Sequence, residues 1–390
     1  GVRGPMNRAL FPAMVVVAAH LTACTGRAVS ETATLPPGSS SPPGSAEENT
    51  LIGGEEALRY ARRVAPMLVG RTLQPGELER LTVGGGDALV PTLEAWIREP
   101  GFAEAARTLI STKLKASGKR GELDLDLPGN LAAELARSGR PYAEILTAPA
   151  CVDAGGQEIA CDTGAPYAAG VLGTRAFLAN NAGRFNLKRA RTVMNTFACL
   201  EYPMDPSIQP PLAREVLIPL FQQDQVPQGD GSGAFGNGFA CYACHSQFGA
   251  HAQPFVKFDA DGVWTEDATG QQDPDGEPGR SLGKLFTSHM LQAGAAQSEA
   301  SQVFGRRVGN LAEAARSIAE SDRFLPCAVR TLLGFGFSLP ESIANGLPDA
   351  AVNEIVAAAR AREPHPSLGA LAVEAFSHPA VVRSLRTSDE

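Results

Sequence analysis

The chain lacks any apolar run long and uniform enough to span a bilayer as a mature helix. It also lacks a basic excess: 34 Lys and Arg stand against 42 Asp and Glu, a formal charge of −8. With no basic stripe to replace phosphate counterions, the composition argues against nucleic acid as a partner. Aromatic residues are scarce and Val/Ile runs short, while Ala and Gly are abundant. That balance disfavours a large sheet and favours packed helices with long connections. No nucleophile triad, paired-carboxylate site or metal-triad spacing occurs. The glycines at 229, 231, 233, 236 and 238 lack the order of a phosphate-binding fingerprint. The acidic stretch 259–277 lacks EF-hand spacing and its terminal bidentate Glu, so it reads as a solvated loop. Seven cysteines in 390 residues are too few for a disulfide scaffold, and each has to be placed individually.

What is present begins with an address. Residues 6–24 read MNRALFPAMVVVAAHLTAC, with Arg8 ahead of an apolar run over 9–19, the pattern of a signal peptide. The run closes on Leu21-Thr22-Ala23-Cys24, which resembles the lipobox of bacterial lipoproteins. That resemblance implies lipidation at Cys24 and a firm membrane anchor, because several acyl chains hold far better than one. The alternative is an ordinary cleaved signal ending near a cysteine; both imply export. Thr25 stands where an inner-membrane retention signal usually carries Asp. The expected location is therefore the outer membrane, facing the periplasm or the surface. Residues 25–49, with LPPGSSSPPG at their centre, cannot bury enough surface to offset their ordering entropy and read as a disordered tether.

Helical periodicity dominates the rest. Over 55–70, Ala57, Tyr60, Ala61, Val64, Met67 and Leu68 share one face, and Pro66 is expected to kink the helix or mark a second start. Pro75 with Glu77 opens a second helix. Helices over 88–99 and 102–114 follow, separated by the breaker Glu99-Pro100-Gly101, and then short ones over 131–138 and 142–146. Arg59, Arg62, Arg63, Arg71 and Arg80 alternate with Glu55, Glu56, Glu77 and Glu79. This reads as a solvated, salt-bridged face and not as an anion site. Two helices joined over 180–186 are expected within 170–204, with others over 309–321, 322–337, 350–362 and 368–384. The expected fold is mainly α: helical bundle-like domains with long irregular Gly/Pro-rich loops. The expected organisation is a signal over 1–24, the tether over 25–49, a helical domain over 50–148, a larger domain over 149–340 and a helical extension over 341–390.

The chemistry-bearing stretch lies in the larger domain: Cys241-Tyr242-Ala243-Cys244-His245. C-x-x-C-H is the attachment signature of a c-type haem. Two thiols at this spacing form thioethers with one edge of the macrocycle, and the adjacent imidazole of His245 becomes the proximal iron ligand. With this chain's Cys and His frequencies, only ~0.002 chance matches are expected. The serious rivals are other uses of the same residues. A zinc site needs two further ligands, and a thioredoxin-like pair needs a βαβ context that the Gly-rich flank does not offer. For the sixth ligand the sequence offers Met290, in Thr287-Ser288-His289-Met290-Leu291, with His289 and His251 as imidazole alternatives and an open distal position as a further one. Phe239, Tyr242, Phe248 and Phe255 are candidates to pack a haem pocket.

Cysteine arithmetic assigns the remainder. Cys151 and Cys161 lie close enough in an irregular Gly-containing loop to pair in an oxidising compartment. With Cys24 given to lipid and Cys241 and Cys244 to haem, Cys199 and Cys327 remain, and are expected to join.

About half of the chain, residues 140–336, resembles the cytochrome c-like lipoproteins of planctomycetes and myxobacteria. The resemblance rests on Gly170-Val171-Leu172, Arg191 and Cys199 before the motif, Phe258-Asp259-Ala260-Asp261-Gly262 after it, and NLAEAARSIAESDRFLPCAVR with the last cysteine. The chain departs from the pattern at Phe248-Gly249-Ala250-His251, where many relatives have an Asp-Pro turn. The resemblance implies a cytochrome c-like segment with one covalent haem c, at the periplasm or surface. The expected function is electron transfer to a redox partner protein, by a carrier more than a catalyst. The rivals are a structural envelope lipoprotein with a disulfide or zinc staple, and a haem-containing enzyme.

Overall fold

In the computed structural model, the structure describes residues 52–183, 186–201, 249–268, 298–336 and 346–384. All of them belong to the unit 48–390. Among the described residues the fold is mainly α, with thirteen helices and three two-stranded antiparallel hairpins. None of these helices is long and apolar enough to cross a membrane.

Helix α1 (Gly54–Leu68) buries Ala57, Tyr60, Ala61, Val64, Ala65 and Leu68, the stripe set by its 3- and 4-residue steps. Pro66 falls in its last turn, and the ladder runs on past it, with the Val69 and Gly70 amides donating to the Ala65 and Pro66 carbonyls at 2.9 and 3.1 Å. Helix α2 (Pro75–Gly84) starts on proline, and a 3₁₀ turn leads into α3 (Leu89–Trp96). Pro100 occupies the first turn of α4 (Pro100–Leu114), so the Pro-Gly break is itself the start of a helix. The most extensive helix–helix contact pairs α4 with α5 (Leu127–Ser138). Short helices α6 (Glu144–Thr147) and α7 (Arg175–Asn180) precede α8 (Leu187–Ala198). Beyond the central stretch come α9 (Leu311–Ala319), α10 (Phe324–Gly336) and α11 (Asp349–Arg362). The expected last helix is two, α12 (Leu368–Ser377) and α13 (Pro379–Ser384), because Pro379 cannot continue α12 and begins a new turn. Helix α12 packs on α3, and the buried Tyr60 hydroxyl of α1 donates to the Phe376 carbonyl at 2.6 Å.

The hairpins carry no alternation long enough to announce them. They are β1 (Lys119–Arg120) with β2 (Leu123–Asp124), β3 (Cys151–Val152) with β4 (Glu158–Ile159), and β5 (Ser301–Val303) with β6 (Arg306–Val308). The loop expected at 151–161 is therefore a hairpin, its turn held by Asp153 Oδ1, which accepts from the amides of Gly155 and Gln157.

The arginine-rich N-terminal region corrects one expectation. Arg59 and Glu55 do form an exposed pair, 3.7 Å apart. Arg71, however, forks its guanidinium between the buried Glu77 (2.7 and 2.9 Å) and Glu99. Glu77 also accepts from the Trp96 indole and the Gln74 amide, both at 2.7 Å. Burial pushes the Glu77 carboxyl up, but Arg71, Gln74 and Trp96 together outweigh it and hold the pKa near about 2, against an ordinary 4.5. A carboxylate with a depressed folded-state pKa contributes stability above its unfolded pKa and loses it as pH falls through the folded one. Between about pH 5 and about pH 2 the protein should lose about 3 kcal/mol more than Glu77→Gln, measured by urea unfolding at each pH.

Gly170 shows why one element of the family-like segment has its composition. Its φ is +51°, and a Cβ there would stand 2.2 Å from the Ile145 carbonyl oxygen, which already accepts from the Val171 amide at 2.9 Å. Val171 and Leu172 beyond it are fully buried. Gly170→Ala should cost about 3 kcal/mol in chemical denaturation, since both the left-handed backbone and the close approach oppose it.

Candidate functional site

Cys241, Cys244 and His245 lie outside the described residues, as do Cys24, Met290, Phe239, Tyr242 and Phe248. What the structure describes are the chain segments flanking the motif: α7 and α8 before it, residues 249–268 after it, and then β5, β6, α9 and α10.

Residues 249–252 are helical and run into a 3₁₀ turn, Gln253–Phe255. This short element is anchored from two sides. Ala250, Ala252, Gln253, Pro254 and Phe255 are buried, and the Phe255 ring tilts against Phe177 of α7 with centroids 6.1 Å apart. The Gln253 side-chain amide donates to the Ser298 carbonyl, and the Ser301 hydroxyl of β5 donates to the Ala250 carbonyl at 2.5 Å.

His251 sits on this element with its ring 5.9 Å from that of Phe304. Burial pushes its pKa down to about 4, so the imidazole is neutral at ordinary pH, the form in which histidine binds a metal. Phe304 owes its place to an unusual turn. The β5–β6 loop has two residues, Phe304 (φ +48°) and Gly305 (φ +78°), and two positive φ values in a row match the right-handed twist of the strands. The first of these positions normally takes Asn, Asp or Gly, and a bulky residue there is a backbone outlier.

A second cluster lies alongside. The Tyr167 hydroxyl donates to Glu299, a buried carboxyl. Burial pushes the Glu299 pKa above the ordinary carboxylate value, with the Tyr167 hydrogen bond and nearby Lys257 opposing it. Tyr167 is pushed up as well, first by burial and then by Glu299. Lys257 places its ammonium 5.2 Å from the centre of the Trp264 ring, and the Trp264 amide donates to the Thr163 carbonyl at 2.8 Å. The two partners at the heart of the cluster are 132 residues apart, which no local pattern signals.

The turn at 258–262 is clamped by an arginine that the sequence reading passed over. Arg191, named for the family resemblance, is exposed. Arg189 is the buried one, 1% exposed. Its Nε donates to the Leu178 carbonyl (2.9 Å), and one terminal nitrogen donates to Asn186 Oδ1 (2.8 Å) and the Phe258 carbonyl (2.9 Å). The other terminal nitrogen donates to the Asp259 carbonyl. Burial lowers the Arg189 pKa to about 10, with the Asp259 charge opposing. Oδ1 of the Asp259 carboxylate accepts from the amides of Asp261 and Val263 at 2.9 and 2.8 Å, a turn-stabilising role. One signal was available: Arg189 stands four residues before Val193, on the same stripe as Ala190, Met194 and Phe197.

The four described cysteines are joined as Cys151–Cys161 and Cys199–Cys327, the pairs that cysteine arithmetic names. Cys199 ends α8 in the left-handed region (φ +48°, ψ +44°), and Cys327 lies in the first turn of α10. Beside the bond, the Phe324 ring packs between Tyr142 (5.2 Å) and Phe197 (6.4 Å).

Among the described residues, no group of three or more His, Cys, Asp or Glu side chains gathers as a metal site. Comparison of the chain with family models, with curated proteins and with solved structures finds no match.

Proposed function

We propose that the chain is an envelope-anchored c-type cytochrome with one covalent haem, acting as an electron carrier. The observation that carries this reading is Cys241-x-x-Cys244-His245, in a chain whose four described cysteines pair with one another. Two disulfides also support export, since such bonds persist outside the reducing cytosol, where c-type haem is attached. In this reading Cys24 carries the lipid anchor to the outer membrane, and a redox partner protein meets the chain on the periplasmic or surface side.

Cys241 and Cys244 hold the macrocycle by thioethers, and His245 supplies the proximal imidazole. When bound, the haem supplies a one-electron couple at its iron. The chain's own contribution is to fix the group, exclude water and set the sixth ligand. Met290 is the first choice for that position, and His251 its rival. The His251 environment fits a ligand chemically: a neutral imidazole, on an element held by the Ser301 and Gln253 hydrogen bonds, with Phe304 against its ring.

The test is a pyridine haemochrome spectrum on full-length protein made in a strain with cytochrome c maturation. A covalent haem band that vanishes in a Cys241→Ala/Cys244→Ala variant is the expected result. Its absence from the unaltered protein overturns the reading and leaves a structural lipoprotein with a disulfide or zinc staple. His245→Ala should abolish low-spin ligation; an unchanged Soret and α-band would refute that ligand. Comparing Met290→Ala, His251→Ala and His289→Ala identifies the sixth ligand, because only loss of the true one alters the low-spin spectrum, and an unchanged spectrum in all three overturns these candidates.

A further inference from the structure

The bond between Cys199 and Cys327 is asymmetric. Cys327 is 1% exposed, within α10, whereas Cys199 is solvent-exposed at the end of α8. Cys199 also holds a left-handed backbone conformation that a non-glycine residue adopts at a cost. The other disulfide differs: Cys151 is 1% exposed within β3, and Cys161 is half-buried.

We infer that Cys199 is the entry sulfur for thiol–disulfide exchange with a protein dithiol of the extracytoplasmic space, and that Cys199–Cys327 is a reducible bond. In the first step a thiolate of the dithiol attacks Sγ of the exposed residue Cys199. A mixed disulfide forms there, the Cys199–Cys327 bond breaks, and Cys327 leaves as a thiolate. In the second step the partner's other thiol, as thiolate, attacks its own sulfur in the mixed disulfide and releases the Cys199 thiolate. Two electrons pass from the dithiol, which becomes a disulfide, and the partner's two thiol protons end on the two cysteines.

The surroundings of Cys327 suit a departing sulfur. The first turn of α10 favours negative charge there, and the Thr331 hydroxyl oxygen lies 4.0 Å from the sulfur. Once protonated, the thiol finds the carbonyl oxygens of Thr196 and Asn195 at 3.5 and 3.8 Å. The buried end is thus furnished for a free thiol, and the exposed end for attack. The bond closes a loop of 128 residues, and that loop contains the Cys241–His245 motif. Exchange at one surface sulfur therefore opens the ring that encloses the motif.

Oxidised full-length protein is exposed to dithiothreitol under native conditions for graded times, quenched, alkylated with a maleimide and mapped by peptide mass. Circular dichroism follows the fold in parallel. Cys199 and Cys327 should become alkylated about tenfold faster than Cys151 and Cys161 while helicity persists. With glutathione as a monothiol probe, the trapped adduct should sit on Cys199. Opening of Cys151–Cys161 first or at the same rate overturns the inference, as does an adduct on Cys327. So does resistance of Cys199–Cys327 until the helices melt.

Discussion

A Cys199→Ser/Cys327→Ser variant should unfold at markedly lower urea concentration than the oxidised parent, with a loss of about 5 kcal/mol. The size follows from the loop. Joining residues 128 apart removes far more freedom from the unfolded chain than the short Cys151–Cys161 link, for which the same chain-entropy reasoning gives ~2–3 kcal/mol. The native packing around the long link adds to the case, because Phe324, Phe197 and Tyr142 meet beside it in the buried core. The comparison to make is the long-link variant against Cys151→Ser/Cys161→Ser, by urea titration with far-UV circular dichroism. A larger loss for the short link would mean that the entropy of the 128-residue loop does not govern. Stability and lability do not conflict here. The loop sets what the bond contributes, and the exposure of Cys199 sets how fast a thiolate reaches it.

How much of this was legible beforehand depends on the range over which each feature is specified. Helix α1 is written in its own 3- and 4-residue steps, and α11 begins within a residue of its expected start. Element starts at proline were readable in kind but not in place: Pro100 breaks α3 from α4 by beginning α4, and Pro379 does the same between α12 and α13. The cysteine pairs were legible from the short spacing of Cys151 and Cys161 and from setting Cys24, Cys241 and Cys244 aside for other expected roles, which left Cys199 and Cys327. Polar partnerships across the fold were not. For Arg71 the nearby acid Glu77 stands among the acidic neighbours that the sequence offers, but the burial of that pair and the second partner Glu99, 28 residues on, do not follow from the local pattern. Tyr167 meets Glu299 only once the turn before α7 and the strand β5 are assembled. The β5–β6 hairpin escaped because three-residue strands carry no period, and its turn puts Phe304 where an Asn or Gly signal was needed. Of the candidate site, the sequence offers the motif and candidate ligands, while the structure describes the segments either side of it.

Arg189→Met should cost about 3–5 kcal/mol in urea unfolding, whereas Arg191→Met, two residues away, should change stability by less than about 0.5 kcal/mol. Methionine fills much of the guanidinium stem's volume, so the loss isolates the polar terms. Without Arg189, the carbonyls of Leu178 and Phe258 lose a donor in a buried setting, and the Asp259 carbonyl and the side-chain oxygen of Asn186 lose one in a partly buried setting. These four acceptors lie on three segments: the end of α7, the start of α8 and the turn at 258–262. No shorter side chain can serve them at once. Arg189→Lys should therefore recover little, since one ammonium cannot reproduce a planar fork with donors on both edges. The turn has a second lock. Gly262 at φ +75° would bring a Cβ within 2.9 Å of Leu178 Cβ, so the turn sits against α7 with no room for a side chain. In Arg189→Met, native-state hydrogen exchange should rise first at the amides of Asp261 and Val263, which the Asp259 carboxylate caps only while the clamp holds that residue in place. Equal losses for Arg189→Met and Arg191→Met would show that the clamp is not what binds α7, α8 and the 258–262 turn together.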